Sequence, residues 1–182
     1  MDTANFAIYS AEKTLDWFRI RILYRCSFPR SERKPFRIIR SMHKKGKTDV
    51  LCVSENGKFC GFATTINGKN CVLLDYLAVR RKMRGKGAGS AILGHMLAVY
   101  GNSGMFVEIE NPYEDCSKRD ERMRRRNFYI RNGMKPLNVF ARVFGVNMEL
   151  LGSGVALTFE QYREFYRSNY SDYAARHILP AD

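Results

Sequence analysis

Apolar and polar residues follow periodic patterns along most of the chain, and the clearest pattern lies near its middle. The run LLDYLAV is an almost continuous apolar stretch, which predicts a buried strand ending at Val79. After a loop of eleven residues, Ile92, Leu93 and Met96 recur at the spacing of one helical face, and Gly101 follows as a stop signal. The pattern therefore predicts a strand, a loop and an amphipathic helix in succession.

Two Asn-Gly pairs separate the apolar runs that come before this stretch. Asn56-Gly57 and Asn67-Gly68 each predict a β-hairpin with a two-residue turn. Such turns fix the register, which would place Val53 opposite Cys60 and Cys60 opposite Asp75. The sequence therefore predicts a three-stranded antiparallel meander whose last strand is LLDYLAV.

A strand and a charged helix are predicted after Gly101. The run MFVEIE predicts the strand, and its distance from LLDYLAV predicts a right-handed parallel crossover. The helix runs from about Ser117 to Asn132, where Glu121 and Arg125 have the spacing of an ion pair. Its arginines are interpreted as a solvated face in preference to a phosphate contact: Arg122, Arg124, Arg125 and Arg126.

The two ends of the chain give weaker patterns. In the C-terminal part, VFARVF and VNMELL predict strands around Gly145, and Thr158 with Gln161 predicts the start of a helix through a capping box. The apolar stripe of this helix is interpreted as a packing surface: Phe159, Tyr162, Phe165 and Tyr166. At the N-terminus, the first 17 residues fit either a strand or a lead-in helix.

The segment Arg19–Lys47 is strongly basic, with eleven Lys or Arg residues and one acid, Glu32. Its aromatic and aliphatic residues fall at helical spacing, with a break at Pro29 and a stop at Gly46. The segment therefore predicts two helices with an apolar inner side and a solvated cationic side. A nucleic-acid surface is the alternative interpretation of the same charges.

Composition restricts the class of protein. A chain of 182 residues with 45% apolar residues is expected to form a single domain with a substantial core. No apolar segment reaches the length of a membrane span, and MDTANFAIYSAEK lacks the basic start of a signal peptide, so a cytoplasmic protein is expected. Five cysteines without a CxxC pair and three scattered histidines predict reduced thiols and no metal site.

The loop after Val79 carries the chemistry. Arg84, Gly87 and Gly89 form the pattern Arg-x-x-Gly-x-Gly at the start of the predicted helix, and five of the seven residues in 80–86 are Lys or Arg. Glycine lets a backbone approach a ligand closely, and a helix N-terminus offers unpaired N–H groups to an anion. The net charge of +13 also favours an anionic partner, so the loop suits a diphosphate.

Two other nucleotide-binding loops fit less well. A Walker A loop needs a lysine before its final Ser or Thr, which Gly89-Ser90 does not provide. A dinucleotide fingerprint follows its strand almost directly, whereas a basic insert of five residues, RRKMR, separates Val79 from Gly85.

The sequence LAVRRKMRGKGAGSAIL resembles the acetyl-coenzyme A loop of the GNAT N-acetyltransferase superfamily. FYIRNGM, residues 128–134, resembles a second signature of that superfamily, and it falls in the expected order and at the expected distance. The chain is similar to a bacterial-type branch of the superfamily.

This resemblance implies a fold and an activity. The fold would be α/β with a mixed sheet: an antiparallel meander, then a parallel strand-helix-strand crossover, flanked by helices. A single domain 1–182 would contain a core of about 50–134, N-terminal helices 18–46 and C-terminal strands and a helix in 137–176. The activity would be direct transfer of an acetyl group from acetyl-CoA, as co-substrate, to a primary amine. A non-catalytic module that binds coenzyme A and a basic nucleic-acid-binding protein are the alternatives.

The resemblance also implies roles for individual residues. Backbone N–H groups of the loop would hold the diphosphate, and the preceding strand would align the pantetheine arm: Leu77, Ala78, Val79, Arg84, Gly85, Lys86, Gly87, Ala88, Gly89 and Ser90. Tyr129 matches the tyrosine that protonates the departing thiolate. The base that deprotonates the amine is expected to be Glu108 or Glu110, in preference to Asp75. In a regular strand Glu108 and Glu110 would share a face.

The chain departs from the superfamily pattern before Tyr129. Arg122 and Arg125 occupy positions where many members have Asn and Ala, and the approach to the helix through 111–118 is longer. The acceptor is expected to be a small-molecule or peptide amine, with Glu108, Glu110 and neighbouring acids attracting its charge. Neither nucleic acid nor a membrane is the expected partner, and both a monomer and a homodimer remain open.

Overall fold

The computed structural model describes residues 5–101 and 103–181, so the first four residues of the N-terminal stretch lie outside it. The chain forms two compact units. Unit 1 is Met1–Asn67 with Leu74–Val99, and unit 2 is Gly68–Leu73 with Tyr100–Asp182. The expectation of one domain stays a prediction.

Unit 1 contains the meander and the basic N-terminal segment. Its elements, some of which reach the boundary with unit 2, are β1 (Phe6–Ser10), α1 (Thr14–Ser27), a 3₁₀ turn (Arg30–Glu32), α2 (Phe36–Lys44), β2 (Val50–Glu55), β3 (Lys58–Asn67), β4 (Val72–Val79), a second 3₁₀ turn (Arg81–Met83) and α3 (Ala88–Tyr100). The strand order is β1-β2-β3-β4, and β2 is antiparallel to both β1 and β3. The start of the chain thus forms both a strand and a helix, where the sequence left the choice open.

The first predicted hairpin is confirmed, but its register is not. Glu55 pairs with Lys58 across the turn, and Asn56 and Gly57 have φ of 49° and 74°, as a two-residue type I′ turn requires. A β-bulge then shifts the register between Val53 and Ser54, so Val53 pairs with Gly61. The predicted pairing of Val53 with Cys60 is therefore wrong.

The second predicted two-residue turn is wrong, although β3 and β4 are neighbours in the sheet as expected. β3 continues to Asn67 and β4 begins at Val72, so the connection is longer than two residues. Neither Asn67 nor Gly68 has the positive φ that a type I′ turn requires, and Gly68 N–H instead donates to the Cys71 carbonyl at 3.0 Å. As a result, the Cys60 carbonyl accepts from the N–H of Arg80 and does not lie opposite Asp75.

The two predicted N-terminal helices are confirmed. Ile20 and Tyr24 of α1 and Ile39 of α2 are buried, and they belong to one apolar cluster with Phe62 and Tyr76 of the strands. The basic residues of both helices are mostly exposed, including Arg21, Arg25, Arg37 and Arg40. The segment therefore has the predicted apolar inner side and cationic outer side.

Unit 2 contains the charged helix and the C-terminal strands. Its elements are β5 (Met105–Glu110), α4 (Arg119–Arg131), β6 (Lys135–Val143), β7 (Val146–Ser153), α5 (Phe159–Asn169), α6 (Asp172–Arg176) and β8 (Ile178–Pro180). The strand order is β5-β7-β6-β8, with antiparallel neighbours. The capping box of Thr158 and Gln161 is confirmed, whereas α6 and β8 were not predicted.

The fold class is mixed α/β, as predicted. The first residues of β4 belong to unit 2, where Val72 N–H donates to the Gly104 carbonyl at 2.9 Å, so β4 and β5 begin side by side. α3 connects these two strands along the chain. The handedness of this crossover stays a prediction.

Candidate functional site

The basic loop, which we define as residues 80–87, is anchored to β3 where it leaves β4. Arg80 donates its backbone N–H to Cys60 O at 2.8 Å and a guanidinium N–H to Phe59 O at 3.2 Å. Next to this anchor β3 and β4 approach closely, since a Cβ at Gly61 would lie 2.4 Å from Ala78 O. These contacts therefore fix the position of Arg80, the first residue of the basic loop.

Two glycines turn the basic loop into α3. Gly85 and Gly87 have φ of +76° and +96°, a region that side-chain-bearing residues rarely adopt. α3 begins at Ala88, and its first intrahelical bond runs from Ala91 N–H to Gly87 O at 2.9 Å. The N–H groups of 88–90 thus precede the first intrahelical donor, as at any helix start.

The donors of this region fit a diphosphate. The helix N-terminus presents N–H groups and the positive end of the helix dipole. The side chains of Arg81, Lys82, Arg84 and Lys86 are exposed, and Arg84 also donates through Nε to the Val79 carbonyl at 3.3 Å. Of the residues expected to align pantetheine, Ala78 is buried, while Leu77 and Val79 are half-buried.

Asp75, one candidate for the base, lies in unit 1 in an ion pair. Lys34 Nζ lies 2.6 Å from its carboxylate and 5.5 Å from the centre of the Tyr76 ring. The Tyr76 hydroxyl donates to the Glu32 carbonyl at 2.8 Å and accepts from Lys34 N–H at 3.3 Å. These contacts hold the connection between α1 and α2 against β4, so Asp75 has a structural role.

Glu110, a second candidate, lies in unit 2 and is bound by two arginines. It accepts from Arg122 at 3.0 Å and from Arg125 at 3.3 Å. Glu114 accepts from Arg122 at 2.7 Å and from the Asn147 amide at 2.7 Å, and these two donors hold the pKa of Glu114 below its usual value. The charge expected to attract an amine is therefore largely offset at Glu110 and Glu114.

The interpretation of the α4 arginines as a solvated face is wrong for two of them. Arg122 and Arg126 are half-buried and bind carboxylates, since Arg126 Nε lies 2.8 Å from Glu149, which is almost fully buried. Arg122 also donates to the Asn111 carbonyl at 3.0 Å. Arg122, which departs from the superfamily pattern, thus holds the longer connection 111–118 in place. The predicted pair of Glu121 and Arg125 is confirmed at 3.7 Å.

Glu108, the third candidate, has different partners. Its Oε1 accepts from the hydroxyls of Tyr162 and Tyr166, each at 2.8 Å, and its Oε2 accepts from Tyr166 at 2.9 Å. β5 pairs regularly with β7 through both glutamates, so Glu108 and Glu110 share a face as expected.

The two tyrosines were missed by the sequence analysis, which assigned the α5 stripe to packing alone. A signal was present, because a buried tyrosine hydroxyl usually needs a hydrogen-bond partner whereas phenylalanine does not.

Tyr129, the candidate acid, lies on α4 in unit 2. It is 7% exposed, and burial raises the pKa of its hydroxyl to about 12. Its ring makes an edge contact with Phe128, 5.1 Å between centroids. A phenol with this pKa stays protonated at neutral pH and can donate a proton.

Neither a metal centre nor a membrane-spanning helix is found in the described residues. Within 5–101 and 103–181, no three His, Cys, Asp or Glu side chains are grouped so as to hold a metal ion. None of the helices in that part of the chain is both long and apolar enough to cross a membrane. All five cysteines are free thiols.

Solved structures of the same fold cover nearly the whole chain. A GNAT-family protein from Bacteroides thetaiotaomicron is 18% identical with a TM-score of 0.74, over 94% of this chain and 98% of that chain. The ribosomal-protein-S18-alanine N-acetyltransferase from Escherichia coli is 17% identical with a TM-score of 0.62, over 85% and 96%. An aminoglycoside 6′-N-acetyltransferase complexed with coenzyme A is 12% identical with a TM-score of 0.64, over 84% and 99%.

These similarities establish the fold, and a family model establishes the family. No curated protein sequence matches the chain significantly. The model of the acetyltransferase (GNAT) family matches residues 17–133, which is more than half of the chain and includes both the basic loop and FYIRNG. The chain therefore belongs to the GNAT family of acetyltransferases.

Proposed function

We propose that the protein is an N-acetyltransferase that moves an acetyl group from acetyl-CoA to a primary amine. Family membership supports the acyltransferase class, and several proteins of similar structure hold coenzyme A or acetyl-CoA. The expected cytoplasmic location belongs to the same proposal. The non-catalytic coenzyme A-binding module stays the alternative, since Arg122 replaces the usual Asn.

In this proposal the basic loop and the strand before it bind the coenzyme. The N–H groups of the basic loop and of the first turn of α3, from Arg84 to Ser90, hold the diphosphate, with the exposed Lys and Arg side chains adding charge. The backbone of Leu77, Ala78 and Val79 aligns the pantetheine arm in the manner of an added strand. Bound acetyl-CoA supplies the acetyl group as a thioester.

We assign the base to Glu108, and the observation that carries this choice is the nature of its partners. Protonating Glu110 would break bonds to two guanidinium groups, and protonating Asp75 would break its pair with Lys34. The partners of Glu108 include two phenol hydroxyls, which can rotate to accept as well as donate.

The acid is assigned to Tyr129. As the amine nitrogen attacks the thioester carbonyl, the amine proton passes to Glu108, the C–S bond breaks and the thiolate takes a proton from the Tyr129 hydroxyl. The raised pKa of this hydroxyl, about 12, keeps the proton available at working pH.

Two matched substitutions test the proposal. Glu108→Gln removes the base and keeps the hydrogen-bonding shape, so kcat should fall about 10²- to 10⁴-fold, and acetyl-CoA should still raise the melting temperature. Glu110→Gln, on the same face of β5, should reduce kcat much less. The amine panel includes a ribosomal-protein N-terminal peptide and an aminoglycoside, the acceptor types of two proteins of similar structure.

The outcomes separate the alternatives. Thiol release that depends on amine and on Glu108 supports the proposal. Stabilisation by acetyl-CoA without turnover of any amine supports the non-catalytic module. Equal loss in both glutamine variants would remove the assignment of the base to Glu108.

A further inference from the structure

We propose that Tyr162 and Tyr166 of α5 are positioning residues that orient and hold the ionised carboxylate of Glu108. The inference rests on the proposed function, in which Glu108 is the base. It gives α5 a part in the reaction without contact with the reacting atoms. Tyr162 and Tyr166 are called the tyrosine pair below.

Helical geometry brings both hydroxyls of the tyrosine pair to one carboxylate. Residues four apart lie on the same face of a helix, so Tyr162 and Tyr166 project together. Tyr162 bonds to one oxygen of Glu108, and Tyr166 bonds to both, at 2.8 and 2.9 Å. A donor shared between both oxygens, together with a second donor on one of them, restricts the rotation of the carboxylate.

The tyrosine pair is itself fixed by packing. Tyr162 and Tyr166 are 0% and 7% exposed, and their rings meet edge-on with 5.4 Å between centroids. Phe106 of β5 packs against Tyr162, and Tyr170 stacks on Tyr166 at 4.9 Å. The capping box at the start of α5 fixes that end of the helix. The hydroxyls are therefore held in place before Glu108 reacts.

A purely structural role does not need the hydroxyls. Phe159 and Phe165 occupy the same apolar stripe of α5, and phenylalanine would bury similar area at the positions of the tyrosine pair. Burying a hydroxyl is costly unless it is hydrogen-bonded, so two of them converging on one carboxylate form a specific arrangement. That arrangement links α5 to a candidate catalytic group.

Tyr162 of the tyrosine pair stays protonated over the working pH range. Burial and the charge of Glu108 raise the pKa of Tyr162 well above 10, so its hydroxyl remains a donor. The neighbouring titratable groups in the described part of unit 2 include Tyr170, stacked on Tyr166, and Glu110, which is bound by Arg122 and Arg125. Donation to the ionised form of Glu108 favours that form. Loss of a hydroxyl should therefore make Glu108 easier to protonate.

A titration of Glu108 tests this directly and does not depend on turnover. The carboxyl carbon of ¹³C-glutamate-labelled protein is followed by NMR, and the Glu108 signal is assigned by its loss in Glu108→Gln. Tyr162→Phe and Tyr166→Phe should each raise the titration midpoint by about one pH unit. Tyr173→Phe, which removes a hydroxyl from a residue that is 63% exposed on α6, is the control and should leave the midpoint unchanged.

Kinetics test the catalytic meaning of the tyrosine pair. In both phenylalanine variants the acid limb of kcat/KM should move to higher pH by the same amount as the midpoint. kcat should fall about tenfold, while KM for acetyl-CoA stays near the wild-type value. Should Tyr166→Phe fail to fold, 3-fluorotyrosine at position 166, a stronger donor of nearly the same size, must move the midpoint to lower pH.

The outcomes distinguish this inference from the proposed function. An unchanged Glu108 midpoint in folded variants overturns the positioning role, whatever the turnover of the wild-type protein. A shifted midpoint with unchanged kinetics in an active enzyme also overturns it. If the wild-type protein acetylates no amine, the proposed function fails, and the positioning role in catalysis fails with it.

Discussion

Replacing Gly87 by alanine should weaken the binding of acetyl-CoA through backbone strain. Gly87 has φ of +96°, and a Cβ built there would meet only Phe6 Cε2 among the described residues, at 3.4 Å, which is ordinary contact. The positive φ of the backbone, and not a steric clash, is therefore what disfavours alanine at this position. A left-handed backbone costs a non-glycine residue roughly 1–2 kcal/mol, and φ of +96° lies beyond the centre of that region.

This strain energy sets the expected loss of affinity. If the basic loop keeps its shape in Gly87→Ala, the free energy of unfolding falls by about 1–2 kcal/mol. If the loop instead relaxes, the N–H groups before Ala88 no longer point at the diphosphate, and binding must restore the strained shape. The dissociation constant for acetyl-CoA then rises by about 5- to 30-fold, the equivalent of the same energy.

Calorimetric titration with acetyl-CoA measures the dissociation constant, and denaturant unfolding measures the free energy of unfolding. Gly94→Ala is the matched control, because Gly94 lies in the interior of α3, is exposed, and a Cβ there would meet no atom of the described residues within 4 Å. That substitution should stabilise the protein by about 0.5–1 kcal/mol and leave the dissociation constant unchanged. Gly87→Asn should lie between wild type and Gly87→Ala, since asparagine tolerates left-handed backbone better than alanine.

One result would refute the reasoning on Gly87. Gly87→Ala could have the same free energy of unfolding and the same dissociation constant for acetyl-CoA as the wild-type protein. In that case the positive φ of this residue has no part in holding the diphosphate. Equal weakening by Gly94→Ala would point to a general effect on α3 and would refute the specific role of the basic loop.

Three further substitutions probe two ion pairs near the candidate residues. Arg126→Met leaves the carboxylate of Glu149 buried without this cation and should cost about 3–5 kcal/mol of unfolding free energy, whereas adding Glu149→Gln should restore part of it in denaturant unfolding. Asp75→Asn should keep kcat/KM within about threefold of wild type, because Asp75 is paired with Lys34; a loss as large as that of Glu108→Gln would return the base to Asp75.

The sequence predicts best those elements whose cause is local. The turn at Asn56-Gly57 forms because both residues accept positive φ, and α5 begins where Thr158 and Gln161 satisfy each other's backbone groups. The basic loop likewise follows from a short motif that includes Gly87. These parts depend on neighbours in the sequence, so the pattern of residue types is sufficient to find them.

The sequence predictions fail where contacts between residues distant along the chain determine the structure. Asn67-Gly68 has the same sequence signal as the first hairpin, yet Gly68 packs against the ring of Phe165, where a Cβ would lie 2.5 Å from the ring, and bonds to Cys71 instead. The same applies to Arg122, whose carboxylate partners come from β5 and the connection after it. A charge cluster on a helix indicates a solvated face only when no carboxylate of a neighbouring element faces it.

The choice among the three candidate bases shows what the sequence withholds. Asp75, Glu108 and Glu110 all carry a carboxylate, and the sequence favours the two glutamates only through the acids around them, without choosing between the two. The hydrogen-bonding partners distinguish the three carboxylates in the structure. The tyrosines that bind Glu108 lie 54 and 58 residues away from it along the chain. The buried hydroxyls of α5 required some acceptor, but only the packing of α5 against β5 determines that Glu108 provides it. The chemistry assigned to Glu108 thus depends on a helix outside both family signatures.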